Sequence, residues 1–275
     1  MTTPTRKPPG RRERLLLGAG GVLVAFGACE ALGRSGIVRR EYLPPASDVV
    51  ARAAELGGDP LFLQGLLATL GAWAGGLALA CALAVPAGLL LGSVPWVNAA
   101  VRAIVEFLRP VPSVALIPLV SLLLGSGAQM KITLIAYASV WPVLFNTVYG
   151  LGETDPVARE TLRAFGFGRV QVLLRAGLPQ AAPFIAAGVR ISAAVALILA
   201  VASEILAGFG EGLGIFIAQA GNATDGARDV LAGVVWAGAL GLLVNFALGA
   251  AERRAFPWAP EHRARAARKT SRVPA

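Results

Sequence analysis

The sequence predicts an all-α polytopic membrane protein with six transmembrane helices. Three observations predict it. Apolar residues make up 56% of the 275 and charged residues only 15%, against roughly 25% charge in a soluble domain. Mean hydropathy is positive, at +0.66. The charge is also unevenly placed: residues 61–101, 110–130, 132–152 and 230–251 contain no Asp, Glu, Lys or Arg. A helix of about 20 apolar residues crosses the ~30 Å hydrocarbon layer, so several such runs make a polytopic chain. This composition excludes a disordered chain. Despite a net charge of +9, it also speaks against a nucleic-acid partner.

The spans follow in order as residues 15–33, 66–92, 104–124, 132–150, 183–206 and 230–250. The first has a rival reading as a secretory signal, because Arg11, Arg12 and Arg14 precede it and Phe26-Gly27-Ala28-Cys29 resembles a lipoprotein cleavage box. Phenylalanine fits that box poorly and the run continues past Cys29, so it reads as a span. Gly71 and Gly75, then Gly88 and Gly92, stand at the spacing that lets helix backbones approach. Pro86, Pro110, Pro112, Pro118 and Pro142 are expected to kink or interrupt the second to fourth spans, which is tolerated where the helix is buried or lines a cavity.

Orientation follows from Lys and Arg in the loops. With the N-terminus inside, the inner segments hold sixteen basic residues. The outer ones hold six: Arg34, Arg39, Arg40, Arg52, Lys131 and Arg228. Both termini are therefore expected in the cytoplasm. The organisation reads as a basic cytoplasmic N-terminus (1–14), a first span with an external segment (15–60), a core transmembrane domain (61–252) containing a cytoplasmic loop at 151–182, and a basic cytoplasmic tail (253–275). The tail is read as the positive-inside signal plus attraction to anionic lipid.

The loop at 151–182 is about 30 residues long, and loops of that length are usually functional or disordered. Val157, Leu162, Phe165, Val170, Val172, Leu173 and Leu174 make it too apolar for a free linker. Pro156 suits the first turn of a helix, where its missing N–H costs nothing. Arg159 and Arg163 are four apart on one face, with Glu160 three from Arg163. Gly166 stops the helix, since glycine adopts the left-handed conformation cheaply. A second segment is expected to end at Leu178-Pro179. A charged helix that buries little against its own spans reads as a docking element for a cytoplasmic partner.

These residues resemble the "EAA" loop of ABC-importer permeases. The family pattern is Glu-Ala-Ala, three residues, Gly, nine residues, Ile, one residue, Leu-Pro. The chain keeps Glu160, Gly166, Leu178 and Pro179, and departs with Thr161, Leu162 and Ala176. Other stretches are similar to the nitrate, sulfonate and taurine branch of that family. They are Tyr42-Leu43-Pro44-Pro45-Ala46-Ser47, the run from Leu108-Arg109-Pro110 to Pro118-Leu119, Trp141-Pro142, Asn146-Thr147, Gly188-Val189-Arg190 and Glu211-Gly212-Leu213-Gly214.

The resemblance implies a type I ABC importer permease fold in the bacterial inner membrane, with no ATPase of its own. It implies two copies of the permease, taken as a homodimer, two separate ATPase subunits and an extracytoplasmic substrate-binding protein. The helix carrying Arg159, Glu160 and Arg163 would lodge in a groove on the ATPase, with Gly166 allowing the turn. ATP binding would then rock the spans between inward-open and outward-open states. Substrates in the branch are small oxyanions, sulfonates and some vitamin precursors. The sequence independently lacks a nucleotide site. A Walker A loop needs Gly-Lys-Ser/Thr, and Lys7, Lys131 and Lys269 follow Arg6, Met130 and Arg268. No cofactor is expected in this chain, with ATP and Mg bound by the partner ATPase.

Charges in or near spans are costly and suggest a pathway or a paired contact. Glu30, Glu106, Arg109, Arg190 and Glu204 are such charges. Glu106 and Arg109 read as an internal pair. Arg190 and Glu204 are about 21 Å apart along a helix at 1.5 Å per residue and cannot pair within one subunit. Arg190, Ser192, Glu204, Ser113 and Asn146 are candidates to line a translocation path. Helix-packing hydrogen bonds are the competing role for the serines and Asn146. A proton-coupled secondary transporter using Glu30 or Glu204 is the alternative function, but it leaves the EAA-like loop unexplained. A metal site or enzyme finds little support: the single histidine, His262, lies in the tail, and Cys29 and Cys81 sit in apolar runs.

Overall fold

The structure, a computed structural model, describes residues 10–94, 96, 100, 106–107, 111–125, 127–208, 210–223 and 226–258. Its elements are helical throughout the described residues. Helix α1 (Arg11–Arg34) is apolar from Leu16 onward and almost wholly exposed there, and it meets α2 (Ala46–Leu56) through its C-terminal end. There Glu30 accepts the Ser47 backbone N–H at 2.9 Å and its hydroxyl at 2.9 Å, and Arg34 pairs with it at 2.6 Å. Helix α2 is amphipathic and turns Val49, Ala53 and Leu56 inward.

Helix α3 (Pro60–Ser93) begins as its sequence dictates. Asp59 accepts the Leu61 N–H at 2.9 Å and Pro60 occupies the first turn. Described residues of the expected third span form a 3₁₀ turn, Ser113–Leu116, then α4 (Ile117–Leu124). This twelve-residue piece is too short to cross a bilayer alone. Pro112 caps the turn and Pro118 stands at the start of α4, which is where prolines start a helix anew. Arg109 and Pro110 lie outside the described residues.

Helix α5 (Ala128–Gly152) lies between α3 and α8 (Leu178–Ala207) and packs along both. The core here is Ala72, Met130, Leu134, Ile135, Ala138, Ala196, Leu199 and Ala200. Small residues allow the approach. A Cβ at Gly88 would fall 2.6 Å from Thr147 Cβ, and one at Gly92 would fall 2.7 Å from Leu151 Cδ1. Gly76 rather than Gly71 makes the corresponding contact further up, against Ile135. Pro86 and Pro142 lie inside continuous helices and interrupt neither.

Between α5 and α8 lie α6 (Pro156–Ala164) and α7 (Arg169–Val172). After α8 come α9 (Leu213–Gly221) and α10 (Ala227–Ala255). A second core joins α2, α3, α9 and α10 around Leu56, Phe62, Leu66, Leu213 and Ala232. Arg52 bridges α2 to Asp229 at 2.6 Å, and the Trp236 indole N–H donates to the Ala53 carbonyl at 2.8 Å. Both Asp229 and Glu55 hold the Arg52 guanidinium more firmly protonated than usual. Among the described residues, five helices, Leu16–Arg34, Pro60–Ser93, Ala128–Gly152, Arg169–Ala207 and Ala227–Ala255, are long and apolar enough to span a membrane.

Candidate functional site: an exposed helix and a buried ion pair

The loop expected at 151–182 holds the helix its sequence describes. Asp155 caps α6 by accepting the Val157 N–H at 2.9 Å, and Pro156 fills the first position. At the other end the Phe167 N–H donates to the Leu162 carbonyl at 3.1 Å and the Gly166 N–H to that of Arg163 at 2.9 Å. That is the Schellman pattern, and Gly166 has the positive φ of 84° it requires. Thr154 is buried beside the cap, and the Gln180 side chain accepts the Asp155 N–H at 2.8 Å. The helix is thereby tied to the base of α8.

What α6 presents is unpaired charge and apolar surface. Glu160 and Arg163 are exposed, Arg159 is half-buried, and none of the three forms an ion pair with another described residue. Val157 is 67% and Phe165 77% exposed. Large apolar side chains beside unpaired charge on one short helix are the kind of surface a protein partner covers.

Leu178-Pro179 does not end the second segment. The helix runs without a break from Arg169 to Ala207, passing through a π turn at Leu173–Gly177 in which the Leu178 N–H donates to the Leu173 carbonyl. Pro179 has no N–H for the carbonyl four residues back, and a widened turn accommodates the lost bond. Arg175 stacks over the Phe167 ring at 4.3 Å, bracing the loop across this turn.

A second arrangement lies at the opposite ends of the spanning helices. Glu204, near the end of α8, is fully buried, and its side chain meets Lys131 from the first turn of α5 at 2.8 Å. Thr69 Oγ1 on α3 lies 3.0 and 2.9 Å from the two carboxylate oxygens and shares one proton between them. The Gly214 N–H at the start of α9 donates to Oε2 at 2.9 Å. Lys131 also donates to the Glu211 carbonyl at 2.7 Å, and Thr69 accepts the Leu213 N–H at 2.8 Å. An ion pair out of water needs such a full set of hydrogen bonds to offset desolvation.

Sequence reasoning selected Glu204 but counted Lys131 as a loop cation; the lysine is 93% buried by side chain. Its signal was available. It is the sole charge between two uncharged runs, and a lone intramembrane cation asks for an anion.

The other candidates are dispersed. Ser192 is buried and donates to the Ser139 carbonyl at 2.6 Å, joining α8 to α5. The Asn146 amide donates to the Pro142 carbonyl at 2.8 Å within α5. Ser113 opens the 3₁₀ turn, half-buried. Arg190 is exposed. It donates to Asn245 at 2.8 Å and approaches Glu252 at 3.6 Å, tying α8 to α10 at one end of an apolar groove lined by Ala194, Ile198, Ala237 and Gly241. Glu106 is described but Arg109 is not, so their expected pairing lies outside the described residues.

Comparison with known proteins places this geometry. Residues 84–256 match the family described as the binding-protein-dependent transport system inner membrane component. The taurine transport system permease protein TauC of Escherichia coli K12 is 33% identical over 224 residues, covering 79% of this chain and 80% of that protein. The bicarbonate transport system permease protein CmpB of Synechocystis is 28% identical, covering 86% of each. Among solved structures, an inward-facing form of the MetNI methionine ABC transporter aligns with a TM-score of 0.63 at 23% identity, over 70% of this chain and 95% of that one.

The chain belongs to the binding-protein-dependent transport system inner membrane component family. It has the type I importer permease fold and is a multi-pass inner-membrane permease subunit of an ABC importer, a transport component and not an enzyme. That role implies ATPase and substrate-binding partners.

Proposed function

We propose that two copies of this chain form the translocation pathway for a small solute such as a sulfonate, nitrate, taurine, a related organic anion or a vitamin precursor, and that α6 of each copy seats in a groove on one of two ATPase subunits. ATP and Mg are bound by those subunits. The N- and C-termini face the cytoplasm. α6 then lies on the cytoplasmic side, and the Lys131–Glu204 pair lies at the extracytoplasmic ends. The observation that carries the reading is α6 itself: a capped helix tied to the base of α8, whose exposed Glu160, Arg163, Val157 and Phe165 leave the two charges without an ion-pair partner among the described residues. The loop cations also support the orientation, more so with Lys131 removed from the outer count.

Taurine and bicarbonate are the cargoes of the named relatives, which supports a small solute bearing a sulfonate or other oxyanion group as substrate. Arg190, Ser192, Ser113 and Asn146 remain candidates for the path. The proton-coupled alternative is not favoured, because the family is established and the Glu204 carboxylate is already held by Lys131.

The test is co-purification of the tagged protein with its ATPase, comparing wild type with Glu160→Lys and Gly166→Pro. Wild type is expected to retain the ATPase in stoichiometric amount, and both variants to lose it while still inserting in the membrane. Variants that keep the ATPase would remove α6 from the interface.

A further inference from the structure

We propose that Lys131 and Glu204 are positioning residues that clamp the outer ends of α3, α5, α8 and α9 into one unit, which moves as a single piece through the transport cycle. This rests on the permease reading and on the orientation given above. Four elements meet at one carboxylate. Glu204 comes from α8, Lys131 from α5, Thr69 from α3 and the Gly214 N–H from α9. The contacts reach on into the α8–α9 turn through the Glu211 carbonyl and the Leu213 N–H.

Three physical points make the pair a clamp and not a gate. Both side chains are out of water, 7% and 0% exposed, so parting them would leave two uncompensated charges in a low-dielectric interior. Opening the pair in every cycle would add that cost to each turnover. Next, both oxygens of Glu204 are already engaged by donors, so its position is fixed from several directions. Last, the chain around it leaves no slack: a Cβ on Gly214 would fall 2.7 Å from Glu204 Cβ, and one on Gly212 would fall on the Glu204 carboxyl itself. Other joins in the bundle are of a different kind. The α8–α10 groove is apolar, and Arg190 at its end is exposed.

The experiment uses the full complex of permease, ATPase and binding protein in proteoliposomes, with MgATP turnover as the readout. The first arm compares Lys131→Met, Glu204→Gln and the double variant Lys131→Met/Glu204→Gln. Each single variant is expected to lower turnover by about tenfold or more by leaving one buried partner uncompensated. The double variant removes both charges and is expected to recover most of the loss. Single variants with wild-type turnover would overturn the proposal. So would a double variant that folds, assembles with the ATPase and stays inactive, since the charges would then act in the cycle itself.

The second arm holds even if the double variant fails to fold. In a Cys29→Ala/Cys81→Ala background, Gln64→Cys on α3 and Glu211→Cys in the α8–α9 turn are joined by a short bis-methanethiosulfonate. Their native side chains hydrogen-bond at 3.1 Å and are exposed, and Glu211 gives the clamp only its backbone carbonyl. The bridged complex is expected to keep turning over. Turnover that stops on bridging and returns on reduction would show the unit opening, and would overturn the clamp. A wild-type permease that brings no ATPase activity at all would instead defeat the permease reading, a separate outcome.

Discussion

At one end of the bundle, α6 leaves Glu160 and Arg163 in water with no partner among the described residues. At the other, Lys131 and Glu204 are buried, both carboxylate oxygens accept hydrogen bonds and the ammonium donates to Glu204 and to the Glu211 carbonyl. The same residue types serve opposite ends. An exposed charge costs almost nothing to leave free and is available to a second protein. A buried pair is costly to disturb and fixes the elements that carry it. The difference teaches that charge inside an apolar chain must be read with its burial. Free charge on a capped helix points outward to a partner, and compensated charge in the bundle points inward to rigidity.

The comparison breaks most sharply at Lys131. Lys131→Met is expected to cost about 3–5 kcal/mol of stability, because removing one partner leaves the other charge buried. Thermal unfolding of the purified protein in detergent checks it. A loss below about 1 kcal/mol would mean that water reaches the pair and that the two regions do not differ in kind. Thr69→Val comes next. It removes a hydroxyl that donates to Glu204 and accepts from the Leu213 N–H. Hydrogen bonds between membrane helices average about 0.6 and reach about 1.7 kcal/mol, so a loss of about 1–3 kcal/mol is expected from the same melt.

On the docking side the effects on stability shrink while the effect on assembly grows. Gly166→Ala puts a Cβ at φ 84° and is expected to cost about 1–2 kcal/mol locally. Limited proteolysis between Ala164 and Arg169 should report it as faster cleavage. Glu160→Lys alters an exposed, unpaired side chain, so the melt should move by less than about 0.5 kcal/mol while ATPase retention falls. A Glu160→Lys protein that melts early would place Glu160 in the fold and not at an interface.

How much of this was legible in the sequence follows the range of the interactions. Pro156 and Gly166 mark α6 because helix ends are local chemistry: the proline fills the first turn, and the glycine takes the left-handed conformation that closes the helix, while the Asp155 cap went unread. Three of the four long uncharged runs mark spans because length and hydropathy are also local, while the run at 110–130 gives only Ser113–Leu124 among the described residues. The Lys131–Glu204 pair spans 73 positions, and no local pattern announces which buried charges will meet. Pro179 was read as a stop, since proline usually breaks a helix. A π turn one step earlier absorbed it, which depends on how α8 packs at its base. The glycine register missed Gly76 for the same reason: the Gly71/Gly75 spacing fits a helix contact, but Ile135 on α5 decides which glycine is needed.

Arg190 is the case that sharpens the comparison by lying between the two extremes. It sits in a spanning helix, like Glu204, yet its side chain is 42% exposed and its partners are Asn245 and, more distantly, Glu252. The Glu252 contact is long at 3.6 Å, and the long side chain gives up rotamer freedom to hold it. Arg190→Gln should therefore cost less than about 1 kcal/mol, and its coupling to Asn245→Ala in a double-mutant cycle should be about 0.5 kcal/mol or less. A coupling above about 2 kcal/mol would make this a second clamp, joining α10 to the rigid unit. A small coupling leaves the α8–α10 join as one that can slide, which is what a bundle with a locked outer end needs if its helices are to move at all.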